Sequence, residues 1–324
     1  MNMKTTRAID MLLDEAEKNA RCAFSHDRNT QKNLRRRLST GALTSPRTGL
    51  YARASYWEGL ETRERALHIM RSLGQLHPNW VFSHYSAALA YNLYVSKALC
   101  RTVHIISPFQ QSSPGIVHHR AHGESHTTVG GLNVTPLEQT IFDCARTADF
   151  PAALAISDSG LAAMGMNRAE LCAHVRTRYR NYKGVNRALS VIAHADPRSE
   201  SGGESIARAQ MMELGFQLPD LQHEIADPLH PADTYRVDFY WELENGTRIA
   251  GEFDGMIKYT DKRYMNKRTT EQVLIDERER ESRLNAAGIL VMRFKYKHVL
   301  DKDYFGNLLT RFGIPRTNEP FLLT

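Results

Sequence analysis

Residues 235–258 read YRVDFYWELENGTRIAGEFDGMIK, two short runs of β-branched and aromatic residues around an Asn-Gly step. Runs 235–241 and 247–253 have strand composition, and Asn245-Gly246 between them is a strong hairpin signal. Side chains alternate along a strand, so Glu252 and Asp254 are expected on one face. A register that sets Asp238 beside them gathers three carboxylates, with Lys258 just downstream. Such a gathering is costly unless a cation binds there. The stretch is either a metal-dependent site or a hairpin decorated with acids.

The flanking segments supply a context. A helix is expected over 204–214, stopped by Gly215, then a short strand over 221–226 before the hairpin. A long helix over 271–287 ends at Gly288, a strand follows over 289–294, and a last helix over 304–312 presents Leu308, Leu309 and Phe312 to a core. The order helix, three strands, helix, strand (αβββαβ) is that of a restriction-endonuclease core. Upstream, DPRSESGG at 196–203 is rich in Pro, Ser and Gly and marks a domain boundary.

The residues Glu204, Asp238, Glu252-Phe253-Asp254-Gly255, Arg280-Glu281 and Val291-Met292-Arg293-Phe294 stand in an order that resembles the PD-(D/E)XK nuclease superfamily, within it the domains related to very-short-patch repair endonucleases. The resemblance covers about residues 200–300. It implies phosphodiester hydrolysis with Mg²⁺ or Mn²⁺, the metal neutralising phosphate charge and lowering the pKa of an attacking water. On that basis Asp238 and Glu252 are the main metal ligands, since Mg²⁺ takes one or two carboxylates and keeps several waters. Asp254 binds a second ion or orients the water, Lys258 stabilises the transition state, and Glu204 reaches the metal through water. Arg280 or Arg293 holds a phosphate. Val237 replaces the proline of the family name, and Asp254 stands where many members have lysine, a charge that Lys258 is then expected to supply.

The totals fit a protein of this kind. The 324 residues, 42% hydrophobic and 24% charged, suffice for two or three domains. No run of about 18 apolar residues predicts a membrane span, and MNMKTTRAIDMLLDEAEKNA lacks the apolar core of a signal peptide. Cys22, Cys100, Cys144 and Cys172 are scattered, as expected of reduced thiols. These features predict a cytoplasmic protein with no membrane association. Net charge is +6, yet Arg21, Arg28, Lys32, Arg35, Arg36, Arg37, Arg47 and Arg53 face only Asp27 within 21–53. A basic block on a near-neutral body suits either a polyanion-binding surface, most often nucleic acid, or a solvated face.

Within 1–57 the pattern predicts a helix carrying Ile9, Leu12, Leu13 and Ala16, a second helix over 30–38, and a strand–turn–strand through Pro46-Arg47-Thr48-Gly49. These are the parts of a winged helix-turn-helix. Lys32, Arg35, Arg36 and Arg37 then lie on or beside the recognition helix and Arg47 in the wing, chiefly meeting DNA phosphates. Over 58–198 helices at 66–73 (ended at Gly74), 84–93 and 152–164 alternate with strands at 102–107 and 116–120, a mixed α/β region. His118, His119, His122 and His126 match no common metal-ligand spacing, and Ser83-His84 with Asp143 lacks a nucleophile elbow, so both groups read as structural.

The segments GLYA, FSHYSAALAYNL, VHIISP and VTPLEQTIFDCAR, in this order, resemble the AbiEi-type antitoxins over roughly residues 5–165. That resemblance implies a winged helix ahead of a mixed α/β domain, autorepression through DNA binding, and a cognate toxin as partner. The expectation is thus a multidomain α+β and α/β protein: a winged helix-turn-helix at 1–57, an AbiEi-like region with linker at 58–198, and a nuclease-like domain at 199–324. Two functions stay open, a DNA endonuclease of defence or repair and a non-catalytic regulator or antitoxin.

Overall fold

The computed structural model describes residues 3–108, 113–120, 125–227, 229–230, 232–254 and 270–317, residues 3–5 and 270–277 entering through their helices alone. Among the described residues the chain forms thirteen α-helices and three sheets, a mixed α/β multidomain architecture. It divides into two compact units, Met1–Cys144 and Ala145–Thr324. None of the helices is long and apolar enough to cross a membrane.

The first unit opens with α1 (Met3–Lys18) and α2 (Arg28–Ser39). Ile9, Leu13 and Ala16 recur at helical spacing and are buried with Leu34 of α2. The second helix starts two residues earlier than its apolar pattern predicts. Asp27 caps it, its carboxylate accepting the Thr30 amide at 2.7 Å. The hairpin β1 (Leu43–Arg47) and β2 (Leu50–Arg53) follows, turning through Gly49 at φ +82°.

Short α3 (Ala54–Glu58) leads to α4 (Thr62–Leu76), closed at its start by a Glu61/Glu64 capping box. This helix does not end at Gly74. A Cβ at Gly74 would lie 3.0 Å from the Leu132 side chain, so the glycine lets the helix run close over the sheet. That sheet holds β3 (Val81–Phe82), β4 (Val103–Ile106), β5 (Ile116–His119), β6 (Thr127–Val129) and β7 (Leu132–Val134), in the order β5-β4-β3-β7-β6. Phe82, Ile105, Leu132 and Val134 pack with Met70 and Leu73 of α4 and with Ala87 and Leu89 of α5 (His84–Ala90). Next comes α6 (Leu137–Thr147).

The second unit begins with α7 (Phe150–Met164), α8 (Arg168–Arg178) and α9 (Val185–Ala193). The segment expected to be a linker is tied down. The Asp196 amide donates to Asp158 of α7 at 2.7 Å, and Arg198 pairs with Asp196 and Asp220. Then α10 (Gly202–Glu213) precedes β8 (Asp220–Ala226), β9 (Thr234–Glu242) and β10 (Arg248–Asp254). The Asn-Gly turn forms as its sequence predicts: Glu242 pairs with Arg248, and Gly246 sits at φ +81°. After α11 (Thr270–Ala286), strand β11 (Ile289–Lys295) lies parallel to β10, giving the order β11-β10-β9-β8. α12 (Tyr296–Leu300) and α13 (Lys302–Arg311) complete the unit, Phe305 packing on Phe294 of β11.

Candidate functional site

Glu252 and Asp254 stand two apart on β10, as strand alternation predicts, on the side that faces α11. They share a small pocket of about 30 Å³ with Arg280, Glu281 and Leu284 of α11 and Val291 and Arg293 of β11. The parallel register sets Glu252 beside Arg293 and Asp254 beside Lys295.

Asp238 arrives by a different route. Pairing between β9 and β10 ends at Gly251–Phe239, and the next β10 amide, that of Phe253, donates to Asp238 Oδ2 at 2.8 Å. A carboxylate thus replaces a backbone carbonyl in the ladder. Val237 and Tyr240, which strict alternation would separate, pack in the same cluster. The break in alternation lies between them and aims Asp238 at the β10 backbone.

Glu204 is brought near by Gly203. The Phe253 ring packs where any Cβ at Gly203 would stand, so the first turn of α10 lies against β10. Its carboxylate is buried and engaged: Oε2 accepts from the Glu200 amide at 2.8 Å and from Gln222 Nε2 at 3.0 Å, and Oε1 from the Ser201 hydroxyl at 2.8 Å. Burial, and next the Asp238 charge, push the Glu204 carboxyl above the usual range. These contacts make Glu204 a helix-start anchor beside Asp238.

Both arginines expected to hold phosphate are paired with carboxylates. Arg280 Nη2 lies 2.6 Å from Glu252 Oε1 and 2.5 Å from the Arg236 carbonyl, with its guanidinium 6.0 Å from the Tyr235 ring centre. Arg293 grips Asp254 through two contacts, 2.5 and 3.3 Å. The arrangement is two arginine–carboxylate pairs, Arg280–Glu252 and Arg293–Asp254, with the Asp238 carboxylate on the Phe253 amide between the two acids. Lys258 lies outside the described residues. No three His, Cys, Asp or Glu side chains among the described residues are already grouped as a metal cage.

The N-terminal bases separate into two sets. Arg37 turns inward to Asp10 at 2.5 Å and the Thr6 carbonyl, Arg21 pairs with Glu15, and Arg53 with Asp14 and Glu17. Arg47 donates to the carbonyls of Pro114 and Gly115 at 2.6 and 3.2 Å. The acids of α1 thus neutralise three of the bases, which a count over 21–53 cannot register. Lys32, Arg35 and Arg36 remain exposed, joined by Arg28. The spacing 28, 32, 35, 36 is one helix face, the signal that adds Arg28 to the set.

Three histidines also come together, none through the spacing weighed in the sequence. His119 stacks on His84 at 3.5 Å between ring centres and hydrogen-bonds His104 across 2.9 Å. His104 also bonds the Thr102 hydroxyl, and His84 Nε2 lies 3.8 Å from Asp143. Burial pushes His104 down to about 4 from an ordinary 6.5. The unfolded chain therefore binds a proton that the folded chain refuses. Stability present above pH 6.5 is lost as pH falls toward 4, by about 3 kcal/mol in all. Urea unfolding of the wild type and His104→Gln across this window should show the variant lacking that loss; an equal loss in both would assign it to other groups.

No known family profile and no solved structure matches this chain. It is 31% identical over 156 residues to the uncharacterized proteins MT2308 and Rv2248 of Mycobacterium tuberculosis, strains CDC 1551 / Oshkosh and ATCC 25618 / H37Rv. The match covers 48% of this chain and 55% of each relative, so the chain spans about half the length of the curated relatives it matches.

Proposed function

We propose that this is a DNA-binding protein whose second unit carries a Mg²⁺- or Mn²⁺-dependent phosphodiester-hydrolysing site, an endonuclease-like function in defence or repair. The observation that supports the reading is the pocket that Glu252 and Asp254 share at the end of β10, with the Asp238 carboxylate of β9 bonded to the Phe253 amide between them, on a helix–three-strand–helix–strand succession with β11 parallel to β10. The donor set is all hard carboxylate oxygen, which suits a hard dication. Asp238 Oδ2 takes the Phe253 amide, leaving Oδ1 for a ligand. Asp238 and Glu252 would hold the ion, with Asp254 beside them. When bound, it supplies charge neutralisation on the phosphate and a water of lowered pKa.

The chain's own residues do the rest. Arg280 and Arg293 balance the carboxylates, and their exchange from carboxylate to phosphate would orient the backbone of a bound strand. Glu204 keeps the start of α10, and so the Phe253 amide and Asp238, in register.

A second reading, a non-catalytic autorepressor or antitoxin with a toxin partner, is favoured by the α2 face. Arg28, Lys32, Arg35 and Arg36 are exposed with no ion pair among the described residues, a placement that suits phosphate contacts from a winged helix-turn-helix. In either reading, replacing Arg35 and Arg36 by Gln should weaken duplex binding at least about tenfold and shallow the salt dependence by about two phosphate contacts. Fluorescence anisotropy over a salt series measures both. Unchanged affinity and slope would remove α2 from the interface. A promoter-preferring complex without cleavage would favour the second reading.

A further inference from the structure

A separate cavity in the first unit has no part in either reading. It encloses about 300 Å³, at the lower end of small-molecule pockets and room for roughly ten water-sized groups. Its deep surface is apolar: Met70, Leu89 and Val103 are buried, and Ile69 and Leu99 extend the wall. Its mouth is polar and one-signed. Arg47 and Arg101 line it, and none of the described lining residues is an Asp or Glu.

Arg47 is the more informative of the two. Its guanidinium is held by two backbone carbonyls, with no carboxylate partner among the described residues, and packs so close to Gly115 that a Cβ there would meet it at 3.1 Å. Partial burial lowers its proton affinity. Arg21, Arg37 and Arg53 of the same segment each meet a carboxylate. Arg101, which also lines the cavity, is exposed and carries no ion pair among the described residues. One held and one exposed positive charge beside apolar side chains, with no acid among the described lining residues, form a site that rewards one anionic end and one apolar body.

We infer that this cavity binds a small amphipathic organic anion, a carboxylate on a compact apolar body, with the charge between Arg47 and Arg101 and the body against Met70, Leu89 and Val103. The lining spans the turn of the β1–β2 hairpin, α4, α5, the start of β4 and the Pro114-Gly115 segment that leads into β5. A bound anion would therefore bridge the hairpin, through Arg47, to the central sheet.

Cys100 supplies a reporter. It lines the cavity and is partly accessible, whereas Cys22, Cys144 and Cys172 are buried. The test uses the full chain with phenylbutyrate, its neutral amide, and straight-chain octanoate. Calorimetry should give saturable, one-to-one binding of phenylbutyrate, and the amide should bind about tenfold more weakly, the scale of a lost charge-assisted contact. Saturating acid should slow alkylation of Cys100 by iodoacetamide several-fold. Arg101→Gln, on an exposed side chain, should weaken the acids about tenfold and leave the amide unchanged. Arg47→Gln gives a second, independent reading of the same loss. Failure of both acids to bind in the millimolar range would overturn the proposal. So would equal affinity for acid and amide, or binding that leaves Cys100 alkylation unaltered.

Discussion

Arg208→Ala is expected to cost about 3–5 kcal/mol of unfolding free energy, the scale of a buried ion pair deprived of one partner. Arg208 of α10 holds both carboxylate oxygens of Asp158 of α7 at 2.7 Å, and the two side chains are 5% and 0% exposed. The same guanidinium donates to the His194 carbonyl at 2.8 Å. Truncating Arg208 leaves a fully buried carboxylate with the Asp196 amide as its main remaining donor, an uncompensated charge in an apolar surround. Asp158→Ala strands the guanidinium in the same way. The double variant Asp158→Leu, Arg208→Met removes both charges at similar volume and should recover most of the loss. Urea unfolding of the four proteins, followed by far-UV circular dichroism, gives the coupling directly. Single variants within about 1 kcal/mol of the wild type would mean that the pair adds little. The pair bears on the proposed site because it ties α10, whose first turn carries Glu204, to α7.

The comparison of sequence with structure divides by distance along the chain. Local chemistry was legible: Asn245-Gly246 makes the hairpin, and period-two alternation sets Glu252 and Asp254 on one side of β10. The succession α10, β8, β9, β10, α11, β11 is visible in the periodicities, with ends displaced by one or two residues. What depends on remote partners was not legible. Arg37 looks like a solvent-facing base until Asp10, 27 positions away, is seen beside it, and Arg47 donates to carbonyls 67 and 68 positions on. Nothing local says that Arg293 meets Asp254, which follows from the parallel pairing of β10 and β11, or that Arg280 meets Glu252, which follows from α11 lying over β10. Gly74 carries a helix-stop signal, but the close packing on Leu132 gives it another use inside a helix. Glu204 is expected from the sequence to reach a metal through water; that its carboxylate accepts from Glu200, Ser201 and Gln222 is seen only in the fold.

The second large effect concerns the carboxylates themselves. If Asp238 and Glu252 hold the ion that activates water, removing either leaves Arg280 and Arg293 able to bind phosphate but nothing to generate the nucleophile at neutral pH. DNA binding should then persist while hydrolysis falls by at least about 100-fold, the usual scale for removing a principal charge-stabilising group. Arg293→Gln should act otherwise, weakening substrate binding along with turnover, because it contacts the backbone and not the ion. Asp254→Asn, which releases Arg293 from its partner, separates the two effects in one protein.

The most direct measurement is cleavage of supercoiled, linear duplex, mismatched and single-stranded DNA by the full chain with Mg²⁺ and with Mn²⁺. Asp238→Ala and Glu252→Ala are run beside it as controls, with metal binding read by calorimetry. The account predicts metal-dependent nicking by the wild type, and variants that still bind DNA but neither cut it nor bind the ion. A clean preparation that binds no metal and cuts none of these substrates, or one that cuts equally well after both substitutions, would contradict it.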